Sequence, residues 1–354
     1  IFSISQEVFG HIRFIDWMAL QGVTMPLAIT GQEAVWQRVW TRLGLSDEEV
    51  RAYFTGPAHL PWHRMSNIDR WQGPLPEEGI DGQLALQQRI LARERELGMK
   101  PVLPAFAGHV PQELKRLHPD ARITRVSYWG GFDDRYRCSF LDPMDPLFAV
   151  IQREFLTEQT RLFGTGHIYG ADPFNEIDAP TWDPETLAGM SRHIYESMAE
   201  VDPEAVWLQM GWLFYADPTH WTAENIRAFL GAVPQDRLLM LDYFCEFTEI
   251  WKQTEKFHGQ PYLWCYLGNF GGNTMLSGNF HTVSARMEDA FAHGGDNLRG
   301  VGSTLEGFGV NQFMYEFVLD KAWNTGIAND EWIARPGIPT GDWMISISSL
   351  RACT

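Results

Sequence analysis

Hydrophobic and polar positions along this chain fall into two alternating registers. Short, almost continuously apolar runs rich in β-formers occur at VTMPLAIT (23–30), PVLPAFAG (101–108), HIYGADPF (167–174), AVWLQMGW (205–212), RLLMLDYF (237–244), PYLWCYLG (261–268) and LRGVGSTLE (298–306). A strand covered on both faces has no solvated side to mark, so such runs predict buried parallel strands. Between them the period becomes helical. Leu187, Met190, Ile194, Met198 and Val201 step by three and four, and DGQLALQQRILARERELG closes on Gly98. Seven strands alternating with helices predict an α/β fold, a (β/α)8 TIM-type barrel whose first strand is degraded or missing within IFSISQEVF. The barrel is expected over residues 1–330 and a tail over 331–354. A doubly wound sheet is the second choice, without the G-x-G-x-x-G fingerprint it often carries.

Composition narrows the partners. At 354 residues and 45% hydrophobic the chain can bury a full core. Lys+Arg total 28 against 45 Asp+Glu, a formal net charge of -17, so the basic surface that phosphate backbones require is lacking and nucleic acid is excluded as a natural partner. No run approaches the ~20 apolar residues of a membrane span. The chain opens on Ile1, so localisation is not read from its start. Cys138, Cys245, Cys265 and Cys353 show no metal-ligand spacing, and two of the four lie in apolar runs as packed thiols. The 15 Trp are mostly core by default, yet Trp also offers sugars a flat apolar face with a polar edge.

Barrel sites are built where strands end. Here the runs end in TGQE, FAGH, FNE, GW, DYF, GNFGGN and LEG, a ring of polar and aromatic groups that a mere scaffold would not need. His59 and His63, four apart in the Pro-flanked PAHLPWHR, do not make a metal motif, and no G-x-S-x-G elbow is present. No metal or cofactor is called for. Carboxylates remain: Glu176 after one strand and Glu306 after the last, the pair that glycoside hydrolysis needs. Spacing alone leaves Asp172 and Asp242 equally eligible. It also leaves Glu176 as a first-turn helix acid and Glu306 as a loop partner of Arg299.

The stretches IDWMALQGV, TGQEAVWQRVW, GLSDEEVRAYFTGPAHLPWHRM, MKPVLPAFAGHVP, GHIYGADPFNEID, EAVWLQMGWLF, GQPYLWCYLGNFGGN and STLEGFGVN, in order over Ile15 to Trp323, together resemble the α-N-acetylglucosaminidases of glycoside hydrolase family 89. The resemblance implies a barrel flanked elsewhere in the family by a small α/β domain and a helical domain. It implies a retaining exo-glycosidase that removes terminal non-reducing α-N-acetylglucosamine from heparan-sulfate-like or other glycans. By that resemblance Glu176 is the general acid/base and Glu306 the nucleophile, with carboxyls expected about 5 to 5.5 Å apart. Asn175 is placed at the sugar's 2-substituent, and Trp62, Trp129 and Trp212 form an aromatic wall. Asn269 and Tyr315 complete the substrate-binding set.

Some positions depart from the family pattern. IFSISQEVFGHIRF replaces a strand bearing sugar contacts, Gly268 stands where some relatives have His, and Asp134 stands where some animal relatives have a cysteine partner for Cys138. The resemblance fades after Trp323, and the helical domain is not matched. A glycan with terminal α-N-acetylglucosamine is the expected partner. The location is expected to be secreted or periplasmic in a bacterium, the origin favoured by the lack of an N-x-S/T sequon, or lysosomal in an animal. An open barrel edge predicts homo-oligomers or aggregation and weak hydrolysis by this chain alone. The alternative is a non-catalytic carbohydrate-binding relative or truncated barrel, which needs the Trp residues but not two acids.

Overall fold

A computed structural model describes residues 4–270, 273–274, 279–306 and 311–335. The chain divides into two compact units, one of residues 1–241 and 250–261, the other of 242–249 and 262–354.

In the first unit β1 (Leu103–Pro104), β5 (Ile168–Gly170), β6 (Val206–Met210) and β7 (Leu238–Asp242) pair in that order, all parallel. Between β1 and β5 the chain makes a small antiparallel sheet from β2 (His109–Val110), β3 (Ile123–Arg125) and β4 (Ser139–Leu141), with β4 in the centre. Helices follow the strands as the periodicity predicts. One spans Pro184–Ala199 behind an Asp183 cap, and another spans Glu77–Glu96 and ends just before Gly98, whose φ of 77° suits glycine.

One expectation is corrected. The run 23–30 forms no extended strand and makes a single bridge, Leu27 to Val102. Three backbone bonds still tie the segments: Lys100 N–H to Thr24 O at 2.8 Å, Val102 N–H to Pro26 O at 2.9 Å and Ala28 N–H to Val102 O at 2.9 Å. Pro26 has no N–H to offer Lys100 O and Pro104 none to offer Ala28 O, which accepts from Gln87 Nε2 at 2.6 Å instead, so the ladder stops on both sides of the bridge. Within IFSISQEVF, where the first strand is expected to be degraded or missing, the chain is helical from Ile4 to Leu20. Ile15 of that helix packs with Leu86, Ile90 and Met99, and Arg93 bonds Asp16 at 2.8 Å, so the segment is held by the 77–96 helix and not by strand pairing.

In the second unit β8 (Tyr262–Tyr266) pairs parallel with β11 (Leu298–Ser303), while β9 (Asn269–Phe270) and β10 (Asn273–Thr274) form a short hairpin. All five β8 residues are buried, which is why PYLWCYLG reads as an unbroken apolar run. Cys245 and Cys265 are buried free thiols, as is Cys138 in the first unit, and burial pushes all three thiol pKa values up. A helix over Asn329–Ile333 spans the expected 330/331 boundary and buries Trp332 against Phe313 and Phe317. The remaining tail, 336–354, lies outside the described residues.

Candidate active site

Glu176 reaches its position through a forced turn. After β5, Asp172 Oδ1 accepts from Met210 N at 2.7 Å and from Gln209 Nε2 at 3.1 Å, tying the strand end to β6. Burial pushes the Asp172 carboxyl up to about 7 against the lowering effect of the Met210 N–H. Phe174 (φ 64°) and Glu176 (φ 53°) then take left-handed backbone that non-glycine residues avoid. That strain costs on the order of 1–3 kcal/mol per residue. Phe174 supplies a comparable compensation: its ring is buried against Phe140 and Trp221, worth about 1.5–3 kcal/mol. The result is an exposed Glu176 on a fixed turn, with Asn175 buried beside it. Asn175 Oδ1 has no hydrogen-bond partner among the described residues.

Three N–H donors converge on the Glu176 carboxyl. Trp129 Nε1 donates to Oε2 at 2.8 Å, Asn67 Nδ2 to Oε2 at 3.2 Å and Trp212 Nε1 to Oε1 at 3.1 Å. Trp212 opens the short helix that follows β6. It is preceded by Gly211, whose N–H bonds Leu241 O at 2.7 Å and where a Cβ would stand 2.8 Å from that same oxygen. Trp129 sits on the excursion between β3 and β4, which Arg137 ties down through Val126 O at 2.8 Å and Asp134 at 2.9 Å. The expected aromatic wall is thus two indoles that hold the acid by their N–H groups. Trp62 makes no such contact; it lies against His59, and its carbonyl accepts from Asn67 N at 2.9 Å.

Asn67 is the residue that sequence reasoning missed. It lies in a loop with left-handed Ser66, Arg70 and Gln72, far along the chain from Glu176, and no motif marks it. The loop is anchored by Asp69, which is almost fully buried. Its Oδ1 faces His109 Nε2 at 2.7 Å, His63 Nδ1 at 3.3 Å and Cys138 Sγ at 3.5 Å. Burial raises the Asp69 carboxyl, but His109 and His63 outweigh it and hold the pKa at about 2. His63, Asp69 and His109 stand close enough to share an ion. However, His63 Nδ1 also faces Ile68 O at 3.2 Å, so that nitrogen sits between two acceptors and carries a hydrogen. The cluster is therefore a hydrogen-bonded anchor. A small cavity lies beside it, lined by Glu33, Tyr53, His63, Arg64 and Ser66 among others; none of the eight predicted site residues lines it. Arg64 binds the buried Glu33 at 2.7 and 2.8 Å.

In the second unit Glu306 follows β11, half-buried, with its N–H donating to Asn269 Oδ1 at 2.8 Å and Tyr243 Oη donating to its Oε1 at 3.3 Å. Asn269 therefore fixes the backbone of Glu306. Tyr315 is buried against Tyr266 and its hydroxyl donates to the Leu267 carbonyl. Gly268, where a larger residue was noted in some relatives, has φ 71°, and a Cβ there would meet the Tyr266 ring at 2.7 Å. Asp242 is fully buried, unlike the half-buried Glu306.

Residues 10–325 match the model of the alpha-N-acetylglucosaminidase (NAGLU) tim-barrel domain. The chain is 44% identical over 354 aligned residues to alpha-N-acetylglucosaminidase of Homo sapiens, covering 97% of this chain and 48% of that protein. It thus spans about half the length of the curated relative it matches. Among solved structures, a family 89 glycoside hydrolase from Clostridium perfringens in complex with 2-acetamido-1,2-dideoxynojirmycin superposes with a TM-score of 0.80 at 28% identity, covering 90% of this chain and 36% of that one. The same figures hold for the Clostridium perfringens protein with two glutamates replaced by glutamine, in complex with its substrate GlcNAc-alpha-1,4-galactose. The family model is a TIM barrel, the architecture that the alternation of strands and helices predicts. No described helix is long and apolar enough to cross a membrane.

Proposed function

The chain belongs to the family of alpha-N-acetylglucosaminidase barrel domains, and on that premise we propose that it hydrolyses terminal α-linked N-acetylglucosamine from glycans with retention of configuration. Glu176 is the general acid/base and Glu306 the nucleophile. In the first step Glu306 bonds to C1 while Glu176 gives its proton to the departing glycosidic oxygen. In the second, Glu176 takes a proton from water as the water oxygen replaces Glu306 on C1. The observation that carries this reading is the Glu176 carboxyl, set on a strained turn and held by three N–H donors. An oriented acid is what protonation of a leaving oxygen requires, and a sugar-binding surface alone has no use for one. The buried Asn175 oxygen, without a partner among the described residues, supports recognition of the substrate's 2-acetamido N–H. The compartment that suits such a substrate is extracellular, periplasmic or lysosomal.

The test is turnover of aryl α-N-acetylglucosaminide beside its β-anomer and the aryl α-glucoside. Hydrolysis of the first alone is expected. Binding of N-acetylglucosamine with no turnover of any of the three would favour the non-catalytic carbohydrate-binding reading.

A further inference from the structure

A carboxylate oxygen has two in-plane lone pairs to offer. On Glu176 Oε2 both are engaged, by Asn67 Nδ2 at 3.2 Å and Trp129 Nε1 at 2.8 Å. Oε1 receives, among the described residues, only Trp212 Nε1 at 3.1 Å. We propose that Asn67 is a positioning residue which, with Trp129, keeps Oε2 as a fixed acceptor and so confines the transferable proton of Glu176 to Oε1. The inference rests on the reading of Glu176 as general acid/base.

The asymmetry follows from what each position would cost. A proton on Oε2 must displace one of two N–H donors: the Asn67 amide, which is buried away from bulk water, or the Trp129 indole, which makes the shortest of the three contacts at 2.8 Å. A proton on Oε1 fills a lone pair that neither donor claims. In the first step the Oε1–H bond breaks, the proton goes to the glycosidic oxygen, and that oxygen keeps the electron pair of its broken bond to C1 as the nucleophile bonds there. In the second step Oε1 takes the proton back from the attacking water.

Asn67 is built to hold its place. Its N–H is fixed on Trp62 O, Asp69 two residues on is locked to His109, and Arg70 binds Glu113 at 2.7 and 2.9 Å. Asn67 Oδ1 is buried with no partner among the described residues, so the donation to Glu176 is the contact that sets the amide's orientation. Turned over, the amide would set its oxygen against a carboxylate oxygen.

The experiment compares Asn67→Ala and Asn67→Asp with the unsubstituted 354-residue chain on two substrates: α-N-acetylglucosaminyl fluoride and a disaccharide with α-N-acetylglucosamine at its non-reducing end. Fluoride departs with little protonation, whereas a sugar alkoxide needs the acid. Both variants are expected to lose roughly 10–100-fold in kcat/KM on the disaccharide and to stay within about threefold on the fluoride, given the usual scale of acid catalysis. Asp preserves the shape of Asn, so retained disaccharide activity in Asn67→Asp would reduce Asn67 to a packing role and overturn the proposal. Equal losses on both substrates would overturn it as well. Failure of the unsubstituted chain to turn over the fluoride would instead overturn the glycosidase reading on which it rests.

Discussion

The indole N–H of Trp129 donates to Glu176 Oε2 at 2.8 Å across 47 residues of sequence, so this ring of the expected aromatic wall serves the acid through its polar edge. Trp129→Phe keeps a ring and deletes the donor. Loss of one hydrogen bond to the carboxylate that forms as the proton leaves, about 1.5–3 kcal/mol, predicts a fall of roughly 10–100-fold in kcat/KM on a disaccharide with an unchanged melting temperature. Steady-state kinetics on that variant check it; full activity would confine Trp129 to stacking.

The two glutamates separate by leaving group. Glu306→Ala should abolish turnover of every substrate, because no glycosyl-enzyme forms. Glu176→Ala should spare the first step on activated aryl glycosides, which need little protonation, and lose it on the disaccharide. Burst and steady-state measurements on both substrates decide the roles, and equal losses in the two variants would refute them.

Asp172 should make stability fall as pH rises. Its folded pKa is raised to about 7 from 3.8, chiefly by burial, so the folded state binds its proton more tightly than the unfolded chain. The stabilisation is complete below about 4 and disappears as pH climbs to about 7. Asp172→Asn keeps the acceptor that meets Met210 N–H and removes the ionisation. Denaturant unfolding at pH 4.5 and 8 should show the variant gaining on the parent by on the order of 2–4 kcal/mol at the higher pH.

Asp69 acts in the opposite sense. Its pKa, held at about 2 by His109 and His63 against the raising effect of burial, means that it stabilises the fold above about 4 and loses that effect as pH falls toward 2. Removing it by Asp69→Ala takes the acceptor from the His109 imidazole and leaves His63 with Ile68 O alone, and is expected to cost about 3–5 kcal/mol at pH 7, read by denaturant unfolding. Because Asp69 anchors the loop that carries Asn67, disaccharide turnover should fall with it.

The parallel strands and the helices between them were legible because continuous burial and helical periodicity are local signals. β8 is buried at every position, and the stepping of Leu187, Met190, Ile194 and Met198 falls on the helix Pro184–Ala199. The run 23–30 misled because apolar composition says nothing of the missing Pro26 and Pro104 donors. Glu176 was readable from its place after β5; its three donors come from segments distant in sequence, and of these only the indoles carry a family signature. Asn67 was invisible because its role depends on an anchor, Asp69 with His63, His109 and Cys138, that exists only once the chain has folded.

The anomeric form of the first sugar released tests the central claim most directly. Proton NMR of fresh hydrolysate from an α-N-acetylglucosaminide, followed before mutarotation, should show the α-anomer appearing first and the β-anomer growing in later, as two displacements at C1 require. Initial release of the β-anomer would contradict the assignment of Glu306 as nucleophile, and no release at all would contradict the glycosidase itself.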